Sequence, residues 1–232
     1  MNHTEAIEMM LKNLDSWRHL PKYQLERRAD LFFGLFINSI VASHLNIDLQ
    51  EIVIPEFPYK NTEDRYTTVN FDYVLFSKDT KTVYLLELKT DAGSVDDDQL
   101  AYLTAAKAVE FNSILSGIVA VSNKSKHNAK YGCLLKLLAD LKVVSKDQES
   151  QEHSQKYSVN NTIEHIQILY LSPQLSGKSH EKVLAVVGSE DNIISFTRAA
   201  ELLEKTGAAV ECHFASYLRR WDATAAGSLC NE

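Results

Sequence analysis

An α/β fold, with a mixed β-sheet flanked by helices in three layers, is predicted from three observations on this chain of 232 residues. Two stretches with apolar residues at helical spacing open it, and three stretches rich in β-branched and aromatic residues follow. Helical spacing then returns, broken by short apolar runs of strand length. Helices next to strands of this kind bury their apolar faces against one another in layers.

The elements follow in order. Thr4 to Arg18 sets Ile7, Met10, Leu11, Leu14 and Trp17 on one helical stripe, with Thr4 as N-cap. Pro21 suits a first helical turn, and Leu25, Ala29, Phe32, Phe36 and Ile40 recur at helical spacing up to about Leu45. Glu51–Phe57, Thr68–Ser77 and Thr82–Lys89 read as three successive strands. The polar link Lys78-Asp79-Thr80-Lys81 joins the second and third as an antiparallel hairpin. A helix is expected from Asp96 to about Ser113, with the run Gly117–Val121 as a buried strand paired in parallel through that crossover. Beyond lie an expected helix over Asn128–Leu141, an exposed polar loop over Ser145–Asn161, strands at Ile166–Leu171 and Val183–Val187, and closing helices at Thr197–Lys205 and Cys212–Trp221.

Length and composition set bounds. With 45% apolar and 24% charged residues, the chain can bury a core and is expected to form a single domain over residues 1–232. No stretch approaches the roughly 18 uncharged apolar residues that span a bilayer, so no membrane partner and a cytoplasmic location are expected. Cys133, Cys212 and Cys230 are widely separated and lack metal or redox spacing. A net charge of −7 excludes a generally basic surface, so any nucleic-acid binding must be local or metal-bridged.

The third strand carries the chemistry. Glu87 and Lys89 share one face of an otherwise apolar strand, where an unpaired charge is costly and needs a partner. Asp72, between Phe71 and Tyr73 in the preceding strand, is the nearest carboxylate by hairpin geometry. Magnesium, with manganese as an alternative, takes hard oxygen ligands, which Asp72, Glu87 and the Leu88 backbone carbonyl could supply. Lys89 is suited to orient an attacking water, to take its proton or to donate to phosphate, and the residues leave all three open.

Asp72, fifteen positions and then Glu87-Leu88-Lys89 resembles the PD-(D/E)XK nuclease superfamily, as does the order of elements from about Lys22 to Ser122. The resemblance implies a restriction-endonuclease-like core over residues 22–122, with the C-terminal half an elaboration of the same domain. It also implies that Asp72 and Glu87 bind the metal while Lys89 assists hydrolysis of a phosphodiester. Glu26, early in the long helix, resembles the acidic residue that completes the metal site in many members. Gln99, in Gln99-Leu100-Ala101-Tyr102, is similar to the glutamine-tyrosine signature of the RecB-like branch, with the tyrosine one place early. Phe71 stands where the usual proline would be.

Plainer readings compete at several positions. Asp72, Glu87 and Lys89 can be a salt-bridged strand pair, and Glu26 a helix charge beside an arginine, with Asp30 its rival one turn on. Asp91 and Asp96-Asp97-Asp98 read as capping residues, Lys124, Lys126, His127 and Lys130 as a solvated basic loop, and Trp221 as helix packing. The function expected is metal-dependent hydrolysis of nucleic acid, DNA before RNA. The alternative is a catalytically inactive module of the same fold that binds nucleic acid or protein. A double-strand cutter with one such centre would need a homodimer or two successive nicks.

Overall fold

The computed structural model describes residues 2–60, 68–122, 128–146 and 157–225. The chain is α/β, with a mixed five-stranded sheet flanked by helices. Its strands are β1 (Ile54–Lys60), β2 (Thr68–Phe76), β3 (Thr82–Leu88), β6 (His165–Ser172) and β7 (Ile193–Ser195), in that spatial order, and β4 (Val144–Lys146) with β5 (Tyr157–Val159) forms a separate antiparallel pair. The helices are α1 (His3–Trp17), α2 (Leu25–Leu45), α3 (Asp97–Ala108), α4 (Phe111–Ser122), α5 (Asn128–Asp140), α6 (Gly177–Val187), α7 (Phe196–Glu204) and α8 (Ala209–Ala225). Two compact units divide the chain.

The first unit comprises Met1–Ile47, Glu87–Asp97 and Leu169–Glu232. Helix α1 is capped by Asn2, not by the expected Thr4, because Asn2 and Glu5 form a reciprocal capping box. Only Leu11 and Leu14 of its stripe are fully buried, and Met10 and Trp17 are about half exposed. Helix α2 starts four residues after Pro21, and all five of its expected apolar positions are buried. Phe32, Phe33 and Phe36 surround Phe214 of α8 with ring centroids 5.2–5.6 Å apart. Trp221 packs against Phe196 and Phe214 while its indole N–H donates to Asp15, as the packing assignment expects. Buried Asp222 accepts from the backbone N–H groups of Gln174 and Thr197 and from the Thr197 hydroxyl, tying the end of β6 to the start of α7.

Val183–Val187, expected as a strand, is the last part of α6. Val183 and Val187 are its buried positions, one turn apart, and Gly188 closes the helix in the left-handed region. The strand role falls instead to β7, which pairs in parallel with β6 from Tyr170–Ile193 to Ser172–Ser195.

The second unit comprises Asp48–Leu86 and Asp98–Ile168. The expected hairpin is present: β2 and β3 pair antiparallel from Tyr73–Leu86 to Phe76–Val83. Its turn is organised by Asp79, which accepts from the Ser77 hydroxyl and the Lys81 amide, while Thr80 takes the left-handed conformation. β1 begins three residues later than expected, and pairs antiparallel with β2.

The expected strand at Gly117–Val121 is helix α4, and α3 ends at Ala108, short of Ser113. The buried residues Phe111, Ile114, Leu115 and Ile118 recur every three or four positions, so a helix buries them together and a strand would not. With that strand gone, the core expected over residues 22–122 does not close on its own sequence. The next neighbour of β3 is β6, drawn from beyond residue 160. The expected loop at Ser145–Asn161 begins and ends in the β4–β5 pair, and 147–156 lie outside the described residues, as do Lys124, Lys126 and His127. Among the described residues no single helix is long and apolar enough to cross a membrane, and α3 with α4 reaches that apolar length only as a pair bent by 103°.

Gly117 is exposed on α4, and an added Cβ meets nothing within 4 Å. Gly117→Ala should therefore raise stability by about 0.5–1 kcal/mol in denaturant unfolding, the gain expected of alanine in a helix interior. A loss of that size would contradict the helical assignment.

Candidate functional site

Every residue of β3 from Val83 to Leu88 is buried. A sheet's middle strand is covered on both faces, so apolar side chains enter it readily and charged ones do not. Glu87 departs from this pattern, with a side chain 1% exposed, and Lys89, just past the strand end, is 5% exposed. Two residues apart in extended chain, they project to the same side. Lys89 Nζ donates to Glu87 Oε1 at 2.8 Å and to the Leu88 carbonyl at 3.1 Å. Glu26 Oε2, from the first turn of α2, stands 3.8 Å from the same nitrogen. The Lys89 backbone N–H donates to the Leu171 carbonyl of β6 at 2.9 Å, which fixes the strand end carrying these groups.

The first unit thus brings together four of the groups named from sequence: Glu26, Glu87, the Leu88 carbonyl and Lys89. Two carboxylates flank one ammonium, which offsets the desolvation of the buried pair. Asp91 plays the capping part expected of it, accepting from the Gly93 amide at 2.8 Å.

Asp72 and Gln99 belong to the second unit. Asp72 is half-buried on β2 between buried Phe71 and Tyr73. The β1–β2 register pairs Pro55 with Tyr73 and Phe57 with Phe71, so Glu56 and Asp72 lie between the same two rungs. Glu56 has φ of 49°, a left-handed conformation uncommon in any residue but glycine, and its carboxylate accepts from Asn70 Nδ2 at 3.0 Å. The sequence marks this irregularity only through Pro55 and Pro58, which cannot donate to a ladder and sit here on an edge strand. Gln99 is half-buried in the first turn of α3, and Tyr102 of the same helix stands 6.0 Å from the Phe71 ring.

One cation of the first unit is missed by sequence reasoning. Arg18, at the C-terminal cap of α1, lies over the Trp221 ring at 5.9 Å, and its buried Nη1 has no hydrogen-bond partner among the described residues. Burial lowers its pKa below the ordinary arginine range, while Asp15 and Asp91 act in the opposite sense. No helical stripe or motif singles out a residue at a helix end, so the sequence carries no signal for it.

The donors at Lys89 Nζ are the kind a magnesium ion takes: carboxylate and carbonyl oxygens converging on one positive charge. Glu87, Leu88 and Glu26 therefore fit a cation, with the ammonium marking its position. Among the described residues no group of three or more His, Cys, Asp and Glu side chains is gathered as metal ligands, and the convergent set here counts two carboxylates and a carbonyl. Compared with protein-family models, curated proteins and solved structures, the chain matches none.

The buried pair makes a thermodynamic prediction. Lys89→Met leaves Glu87 without its ammonium and should lower unfolding free energy by roughly 3–5 kcal/mol. Glu87→Met/Lys89→Met should recover most of that loss. A double variant whose loss equals the sum of the losses in Glu87→Met and Lys89→Met would mean that the two side chains are not coupled.

Proposed function

We propose that this chain is a divalent-metal-dependent nuclease of the restriction-endonuclease-like type, hydrolysing phosphodiester bonds in nucleic acid, DNA in preference to RNA. The observation that supports it is the convergence of Glu87 Oε1, the Leu88 carbonyl and Glu26 Oε2 on one cationic centre. Of these, Glu87 and Glu26 are groups that the PD-(D/E)XK resemblance gives to the metal site, and the Leu88 carbonyl is a further hard oxygen of the kind magnesium takes. Asp72 joins them on the strength of that resemblance, and Gln99 is assigned to phosphate or to support of the site.

Magnesium, or manganese in its place, would supply Lewis-acid polarisation of the phosphoryl group and neutralise charge developing on it. Glu87 and the Leu88 carbonyl provide oxygen donors held by the end of β3. Glu26, more exposed than the other two, can adjust to a ligand without disturbing the core. Lys89 is held at both oxygens of the strand end, beside the position where a water or a phosphoryl oxygen would meet the metal. A double-strand cut by one such centre then takes a homodimer or two successive nicks.

A second reading, a non-catalytic nucleic-acid-binding or protein-interaction module, draws on one specific fact: the Lys89 ammonium already neutralises the buried Glu87 carboxylate. One assay separates the two. Single- and double-stranded DNA should be cleaved by the wild type in magnesium or manganese. Glu87→Gln and Lys89→Met should slow cleavage by at least about 100-fold, and half-exposed Glu26→Gln by about tenfold, in samples that melting curves show to be folded. A wild type that leaves both substrates intact, or variants that cut at its rate, would overturn the proposal.

A further inference from the structure

Six arginines fall within the described residues, and their ion pairs are unevenly distributed. Arg198, Arg219 and Arg220 each have a carboxylate within 4.0 Å. Among the described residues Arg18, Arg27 and Arg28 have none, and all three lie in the short stretch from the end of α1 into the first turn of α2. Exposed Lys22 sits in the same stretch. Asp15 and Asp91 act on half-buried Arg18, so in a chain of net charge −7 the exposed positive charge of this stretch is carried by Lys22, Arg27 and Arg28.

Its placement bears on the candidate centre. Glu26, whose carboxylate stands 3.8 Å from Lys89 Nζ, is the residue immediately before Arg27 and Arg28. Basic side chains in a first helical turn oppose the helix dipole and weaken the helix. An anion held on that turn reverses the sign of the interaction. The exposed ridge continues along α2 through Leu31 and Leu35, 77% and 67% exposed. From Arg27 to Leu35 it runs about 12 Å at the helical rise, the axial rise of three to four nucleotides of one strand, which suits a polymer better than a lone phosphate.

We infer that exposed Arg27 and Arg28, with Lys22, form a phosphate-binding rim that holds the backbone of a nucleic-acid strand beside Glu26, Glu87 and Lys89. The identity of the ligand rests on the proposed nuclease function, whereas the rim itself rests on the unpaired arginines. Backbone phosphates are bound by charge, so affinity should depend on salt and not on base sequence.

Fluorescence anisotropy with labelled single-stranded and duplex oligonucleotides, in EDTA, reads binding without cleavage. Arg27→Gln/Arg28→Gln should weaken binding by about tenfold or more near 0.1 M salt, and should flatten the log K against log salt slope by roughly 1.4–1.8. Arg27→Lys/Arg28→Lys, which keeps the charge, should retain most of the affinity. Both pairs are exposed, and melting curves check that the variants fold. An unchanged affinity in the glutamine variant overturns the inference. So does wild-type protein that binds no oligonucleotide, or that binds only vesicles containing an anionic phospholipid. Protein that fails to cleave yet shows arginine-dependent binding overturns the nuclease reading and leaves the rim standing, whereas cleavage at sub-saturating substrate that ignores both arginines overturns the rim alone.

Discussion

A carboxylate and an ammonium, 1% and 5% exposed, sit side by side at the end of the middle strand of the sheet. Moving either alone out of water costs several kcal/mol, so each needs an opposite charge beside it and each has the other. Well-packed apolar residues in their place are commonly as stable or more so, and β3 is otherwise built of Val, Tyr and Leu after its first residue. Packing alone therefore does not account for a charged pair at this position. A strand end that supplies a carboxylate and a carbonyl to one positive charge does account for it.

The first unit is arranged around that pair. Helix α2 buries Leu25, Ala29, Phe32, Phe36 and Ile40, with Phe33 and Phe36 among the rings around Phe214. That packing fixes the helix and so brings Glu26 of its first turn to Lys89. Strand β6 receives the Lys89 amide at Leu171. It is held in turn by its parallel pairing with β7 and by Asp222 beneath the residues that follow it. Arg27 and Arg28 then stand exposed on the turn that presents Glu26, so one rigid helix start carries both a candidate ligand and its candidate phosphate contacts.

How much of this was legible in the sequence depends on how local each signal is. The β2–β3 hairpin was, because a short polar turn between two alternating runs fixes the pairing within some twenty residues. The Glu87–Lys89 association was legible too, since strand parity alone sets them on one side. Gly117–Val121 and Val183–Val187 misled because a five-residue apolar run has no resolvable period, and the helices containing them show only when the flanking Phe111, Ile114 or Gly188 is counted with the run. The neighbour of β3 was hidden for a different reason. Pairing with β6 spans about eighty residues of chain, and β7 is three residues long, so neither is written in any local pattern. The left-handed Glu56 and the buried Nη1 of Arg18, without a hydrogen-bond partner among the described residues, are products of tertiary packing and leave almost no mark in sequence.

Titration of manganese followed by electron paramagnetic resonance tests the cation centre most directly, because it reads metal binding whether or not any substrate is cut. Lys89 and the metal compete for the Glu87 and Leu88 oxygens, so binding by the wild type should be retained or tightened in Lys89→Met and lost in Glu87→Gln. Equal binding by all three proteins, or none by the wild type, would contradict a cation centre at the end of β3.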